Sequence, residues 1–212
     1  MGRWVLLHAL EQGQVPPQVS QDGDVVADLR ASPGAIAAAV AALEAAQFEV
    51  DGMSPDGLAH RYVRPATPTP VKVDVLAPDG LGPRADLTTT SPGRTLEMAG
   101  GTQALERTEL VDVVHEGRRG AVPRPSLLAA LVGKGAACAL PGDSSRHVRD
   151  LAMLCTVVPD PFTLREQLRK KDRQRLLSGA ALLDTAHVAW QLVSRDIREQ
   201  GQETYVILTA SR

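Results

Sequence analysis

The chain has 212 residues, 43% of them hydrophobic, and a formal net charge of −2, an ordinary globular composition with enough apolar material for one large core or two small ones. Two tryptophans, two tyrosines and two phenylalanines leave Ala, Leu and Val to supply the packing and few rings for stacking bases. No run approaches the roughly 18 to 20 apolar residues of a membrane span, and the N-terminus lacks a basic region followed by an apolar one and a cleavage site, so a cytoplasmic protein with no membrane partner is expected.

In chain order, Trp4 to Leu10 reads as a short apolar helix that ends near Gly13, and the two prolines between Gln14 and Gln18 mark a loop. That loop feeds the stretch Ser20 to Asp28, in which Asp22 and Asp24 open a β-branched, strand-like run. Ser32-Pro33 supplies an N-cap and a first-turn proline for an Ala-rich amphipathic helix over Gly34 to Gln47. Phe48 to Val50 and Ala59 to Val63 read as strands around the turn Ser54-Pro55-Asp56-Gly57, and Pro65 to Pro70 reads as a linker. Val71 to Leu76 alternates as a strand, with Lys72, Asp74 and Leu76 on one face and three valines on the other. Arg94 to Ala99 and Glu109 to His115 continue the strand pattern, the latter turning at Glu116-Gly117 toward Gly120-Ala121-Val122. Beyond Pro123 to Pro125 the period becomes helical, over roughly 126–140, 144–158, 161–169, 172–184 and 194–208. The expectation is an α+β chain, with a sheet domain over 1–122 and a helical domain over 123–212.

Charge divides along the same line. Residues 1–122 hold 10 Lys+Arg against 16 Asp+Glu, or −6, and residues 123–212 hold 13 against 9, or +4. An acidic half suits a metal, and a basic half suits polyanions. Cys138 and Cys155 lie far apart on helix-like segments and read as core residues rather than a disulfide or zinc pair.

Asp22 and Asp24 share a strand face with α-carbons about 6.6 Å apart. Two such anions repel by on the order of 4 kcal/mol at 4 Å and an effective dielectric near 20, so a close pair calls for a cation, a shared proton or water between them. With Asp74 on a later strand, the set matches two-metal phosphoryl chemistry, in which three carboxylates hold Mg²⁺ ions on a triphosphate and the third can orient or deprotonate an attacking hydroxyl. By itself a D-x-D equally describes acidic residues solvating a strand end.

A glycine-started apolar helix, then Ser20-x-Asp22-x-Asp24 with apolar residues after it, then Val71-Lys72-Val73-Asp74-Val75, then a helical half, resembles the DNA polymerase β-like nucleotidyltransferase superfamily, and within it the AbiEii/AbiGii toxin family. Pro125 to Ala137, with Lys134, and Arg146 to Leu154, with Asp150, are similar to that family's helical motifs. The resemblance implies a nucleotidyltransferase-like mixed β-sheet with flanking helices and a C-terminal helical domain. It implies Mg²⁺ at Asp22, Asp24 and Asp74, with Asp74 also activating the acceptor. An NTP substrate would have its phosphates near Gly2, Arg3, Ser20, Lys134 and Arg146 or Arg149, and Asp150 would complete the site. Where the family has a Gly-Gly or Gly-Ser pair this chain has Gly2-Arg3, and the arginine often found soon after the family's lysine is replaced, if at all, by Arg146 or Arg149. The acceptor implied is tRNA or another RNA, with a cognate antitoxin as partner. A small-molecule acceptor, as in antibiotic adenylyltransferases, is one alternative, and a catalytically impaired binding protein of the same fold is another.

Several other residues stand as candidates of lesser weight. Asp28 shares parity with Asp22 and Asp24, and Lys72 shares a face with Asp74. The five histidines lack metal-ligand spacing. Gly100-Gly101-Thr102 reads as a turn rather than a phosphate cradle. Six basic residues between Arg165 and Arg175 read as a solvated helix face, with an RNA backbone contact as the sharper alternative.

Overall fold

The structure, a computed structural model, describes residues 3–14 and 22–211, and it is a mixed α+β protein. It divides into two compact units, Ser20–Leu105 and Met1–Val19 with Glu106–Arg212. Helix α1 (Arg3–Glu11) comes first. The sheet unit follows as β1 (Asp22–Val26), α2 (Ala35–Ala45), β2 (Glu49–Val50), β3 (Arg61–Arg64), β4 (Val71–Pro78), β5 (Glu97–Met98) and α3 (Gly101–Glu106). The remaining elements are β6 (Thr108–His115), β7 (Arg118–Pro125), α4 (Leu127–Ala137), α5 (Ser145–Thr156), α6 (Pro161–Glu166), α7 (Lys170–Leu177), a 3-10 turn at Ala180–Leu183, α8 (Val188–Gln191) and α9 (Arg195–Thr209). Among the described residues no helix is long and apolar enough to cross a membrane.

The sheet is mixed, in the order β1-β4-β3-β2, with β5 adding to β4. β1 runs parallel to β4, while β3 is antiparallel to both β4 and β2. Val71, Val73 and Val75 of β4 pack in one core with Ile36 and Val40 of α2, Phe48, and Tyr62 of β3. By strand alternation Lys72 and Asp74 then face the opposite way. Burial of apolar side chains under α2 therefore fixes which face of the sheet is polar, and that polar face carries the candidate site.

A second core lies in the other unit. Val5 and Ala9 of α1 join Leu131, Leu151, Leu154, Leu176, Trp190, Tyr205 and Leu208 from the C-terminal helices. Two glycines make its packing possible. A Cβ at Gly135 would lie 2.6 Å from the carbonyl oxygen of Arg175, where α4 meets α7, and one at Gly179 would lie 2.6 Å from Leu151 Cδ2. The helix expected over 172–184 ends at Leu177 with Ser178 as its C-cap, and a 3-10 turn stands in place of its second half. Helix α8 had no counterpart in the sequence pattern.

The units divide the chain differently from the boundary expected at 122/123. β6 and β7 form an antiparallel hairpin from Thr108↔Pro125 to His115↔Arg118, which passes through the prolines unbroken, and Ser126 N–H donates to the Arg107 carbonyl at 2.8 Å. The buried Arg124 of β7 pairs with Glu109 at 2.8 Å and with Glu11 of α1, and His8 of α1 meets the Pro125 carbonyl at 3.0 Å. These contacts place α1 and the hairpin with the helices. Farther out the hairpin is open: Leu110 is 73% exposed and Val114 68%, and among the described residues β6 and β7 pair only with each other.

The strand expected over 94–99 shrinks to Glu97–Met98, and the turn at Gly100-Gly101-Thr102 opens α3. Gly100 takes a positive φ of 83°, and a Cβ on Gly101 would come within 2.8 Å of Pro78 Cα. Close packing of α3 on the end of β4 accounts for these glycines.

Candidate active site

The parallel pairing of β1 with β4 sets Asp22 opposite Lys72 and Asp24 opposite Asp74. Directly opposed residues share a face, so the three aspartates named from the sequence stand on one polar face of one sheet. Asp24 is exposed and Asp22 half-buried. β3 reaches Asp74 from the other side, with Arg61 as its register partner. The guanidinium grips the carboxylate with both teeth: Arg61 Nε donates to Oδ1 at 2.8 Å and Nη2 to Oδ2 at 2.8 Å. That hydrogen bonding, helped by the charges of Asp74, Asp22 and Asp51 and opposed by partial burial, holds Arg61 protonated even more firmly than an ordinary arginine. Asp51 donates its backbone N–H to the Arg61 carbonyl at 2.8 Å. Asp24, Asp74, Arg61 and Asp51 thus follow one another across four strands or their ends.

Arg61 is the residue that sequence reading missed. Its strand was recognised, but its register against β4 depends on the length of the loop through Pro65–Pro70, which the alternation of either strand does not specify. Lys72 stands on the same face, in the row of Asp22. Asp28 does something else. Its Oδ1 accepts the N–H groups of Arg30 and Ala31, each at 3.1 Å, and so ties the turn that follows β1.

Three carboxylates are the hard oxygen donors a Mg²⁺ ion takes, and Asp24 and Asp74 sit at adjacent register positions, so the donor set fits the ion in kind. Among the described residues no three His, Cys, Asp or Glu side chains converge closely enough to hold a metal as they stand. Asp74 is turned to Arg61 instead. Gly2 and Ser20 lie outside the described residues, and so does the side chain of Arg3, whose backbone starts α1.

Lys134 and Asp150 belong to the helical unit and pair with each other, Nζ to Oδ2 at 2.7 Å, bridging α4 and α5. Arg146, at the exposed start of α5, donates from Nε to His147 Nε2 at 3.3 Å, and Arg149 is half-buried one turn further on. Burial, with the charges of Lys134 and Arg146, pushes the His147 pKa down. Burial likewise raises the Cys138 thiol to about 11, so at neutral pH it is no nucleophile.

The basic stretch of Arg165 to Arg175 is largely occupied within its own unit. Arg173 Nε and Nη2 donate to the Thr209 carbonyl at 3.0 and 2.9 Å, closing the end of α9, and Arg165 donates to the Ser211 carbonyl at 2.8 Å. Arg169 pairs with Glu106 at 2.7 Å. Of the histidines, His8 is core, and His187 Nδ1 accepts the Ala189 N–H at 3.2 Å to cap α8. No family model, no curated protein and no solved structure matches the chain.

Proposed function

We propose that the chain is a Mg²⁺-dependent nucleotidyltransferase of the polymerase β-like fold, moving a nucleoside monophosphate from an NTP to an acceptor hydroxyl. The observation that carries this reading is the β1–β4 register, which puts Asp24 beside Asp74 with Asp22 on the same face. Asp22, Asp24 and Asp74 would hold the ion, which supplies charge neutralisation on the triphosphate and polarisation of the reacting phosphoryl group. The acceptor oxygen attacks the α-phosphorus, the bond to the pyrophosphate oxygen breaks, and the acceptor's proton passes to a carboxylate, for which Asp74 is the candidate. The sequence resemblance gives Lys134, with Arg146 or Arg149, the role of supplying positive charge for the phosphates. The acceptor class favoured by the sequence resemblance is RNA, tRNA included, in the manner of an AbiEii-like toxin with a cognate antitoxin.

A second reading has its own observation. Arg61 engages both oxygens of Asp74, which suits a nucleotidyltransferase-like protein that binds without catalysing. One experiment separates the two: incubation with each labelled NTP, Mg²⁺ and total RNA or a small-molecule acceptor panel, alongside calorimetric titration with Mg-NTP. Label transfer that is lost in Asp22→Ala and Asp24→Ala supports the enzyme. Binding without transfer supports the second reading, and absence of both at millimolar NTP removes the nucleotide altogether.

A further inference from the structure

The Arg61–Asp74 pair is closed on itself. A carboxylate that accepts from Nε on one oxygen and Nη2 on the other, both at 2.8 Å, has committed its two inner lone pairs to one guanidinium. Asp74 is only 13% exposed and Arg61 39%, so the carboxylate is shielded from water while the arginine still meets it. Asp24, its neighbour on the other side, is an exposed anion at the same level of the sheet. Two anions side by side call for positive charge nearby, and on this face Arg61 is the cation bonded to Asp74, with Lys72 standing in the row of Asp22.

We infer that Arg61 is the resident counter-ion of this site, competing with the divalent cation for Asp74. This rests on the metal reading of Asp22, Asp24 and Asp74. An ion held by Asp24 and Asp74 would draw on a carboxylate whose charge and inner lone pairs Arg61 already engages, so the two cations weaken one another's hold on it. The consequence is a site with low affinity for the free ion. The ion gains ground when it comes with the charge of a triphosphate, because the freed guanidinium then has phosphate oxygens to bind. Arg61 is therefore a positioning residue that ties metal occupancy to nucleotide occupancy.

The test is titration of the whole chain with Mn²⁺ alone, followed by calorimetry and by the relaxation of bulk water, for the native protein, Arg61→Gln and Lys72→Gln. Lys72→Gln removes a like charge from the same face without touching Asp74, so it measures the general field. Competition predicts that Arg61→Gln binds Mn²⁺ at least about tenfold more tightly than the native chain, well beyond the gain in Lys72→Gln. It also predicts that Asp74→Asn shrinks the Arg61→Gln gain to that of Lys72→Gln. Equal gains in the two single variants, or weaker binding in Arg61→Gln, overturn the inference while leaving the metal reading intact. No Mn²⁺ binding by any variant, with circular dichroism showing all of them folded, overturns both.

Discussion

Lys134 Nζ stands 2.7 Å from Asp150 Oδ2, with the two side chains 16% and 7% exposed, so α4 and α5 are joined by a nearly buried ion pair. Whatever the pair does for a substrate, it is part of the helical unit's own structure. Removing one partner strands the other charge in the interior, which costs about 3–5 kcal/mol. Lys134→Met and Asp150→Leu are each expected to lower the unfolding free energy, extrapolated from urea denaturation, by that amount. The double variant should recover most of the loss, and a double-mutant cycle measures this directly.

Arg107 and Asp172 make a second such contact, Nη2 to Oδ2 at 2.6 Å, and the same Asp172 oxygen accepts the Arg169 N–H at 3.1 Å. Asp172 thus joins the start of β6 to the start of α7. Asp172→Ala should cost about 3 kcal/mol, more than the loss of a helix cap alone, which is typically ~1 kcal/mol. Thermal denaturation followed by circular dichroism at 222 nm checks it.

Gly135 tests packing against propensity. In an open helix, alanine in place of glycine gains about 1 kcal/mol. Here the added Cβ would sit 2.6 Å from the Arg175 carbonyl oxygen and 2.9 Å from Leu176 Cα, both fixed atoms of the facing helix. Gly135→Ala is therefore expected to destabilise by about 2 kcal/mol, the cost of overpacking a close helix contact. Chemical denaturation shows the sign.

His8 makes stability depend on pH. Burial, and then the charge of Arg124, pushes its pKa down, against the pull of the Pro125 carbonyl, Glu109 and Glu11. Above the ordinary histidine pKa of 6.5 the ring is neutral in both folded and unfolded chains and costs nothing. As the pH falls below 6.5 the unfolded chain takes up the proton first, so stability is lost until the folded-state pKa is passed. The melting temperature should fall on acidification through this window, and in His8→Gln part of that slope should disappear.

Much of this was written in local pattern. The alanines announce α2, and Val71 to Leu76 announces β4, because period is a property of neighbouring residues; the cap expected at Ser32 falls instead on Gly34, with no side-chain hydrogen bond. The three aspartates were found the same way, since each sits on a strand whose parity is visible. Arg61 was not, because its meeting with Asp74 is a matter of register across a loop. The boundary at 122/123 was misplaced for a similar reason: Pro123 and Pro125 look like a break, but they sit in a hairpin strand, and the long-range contacts of Arg124 and His8 decide which core the hairpin joins. Gly179, just past α7, has no room for a side chain because of Leu151, a residue distant in sequence.

The open outer half of the β6–β7 hairpin governs how the protein behaves in the hand. Leu110 and Val114 stand in water on a strand that carries neither proline nor lysine, the two residues that most often keep such edges from pairing with other molecules. A net charge of −2 offers little long-range repulsion to keep molecules apart. Concentration-dependent association is therefore expected to begin at this ribbon, and Leu110→Lys or Val114→Lys is expected to raise the concentration at which light scattering first detects it.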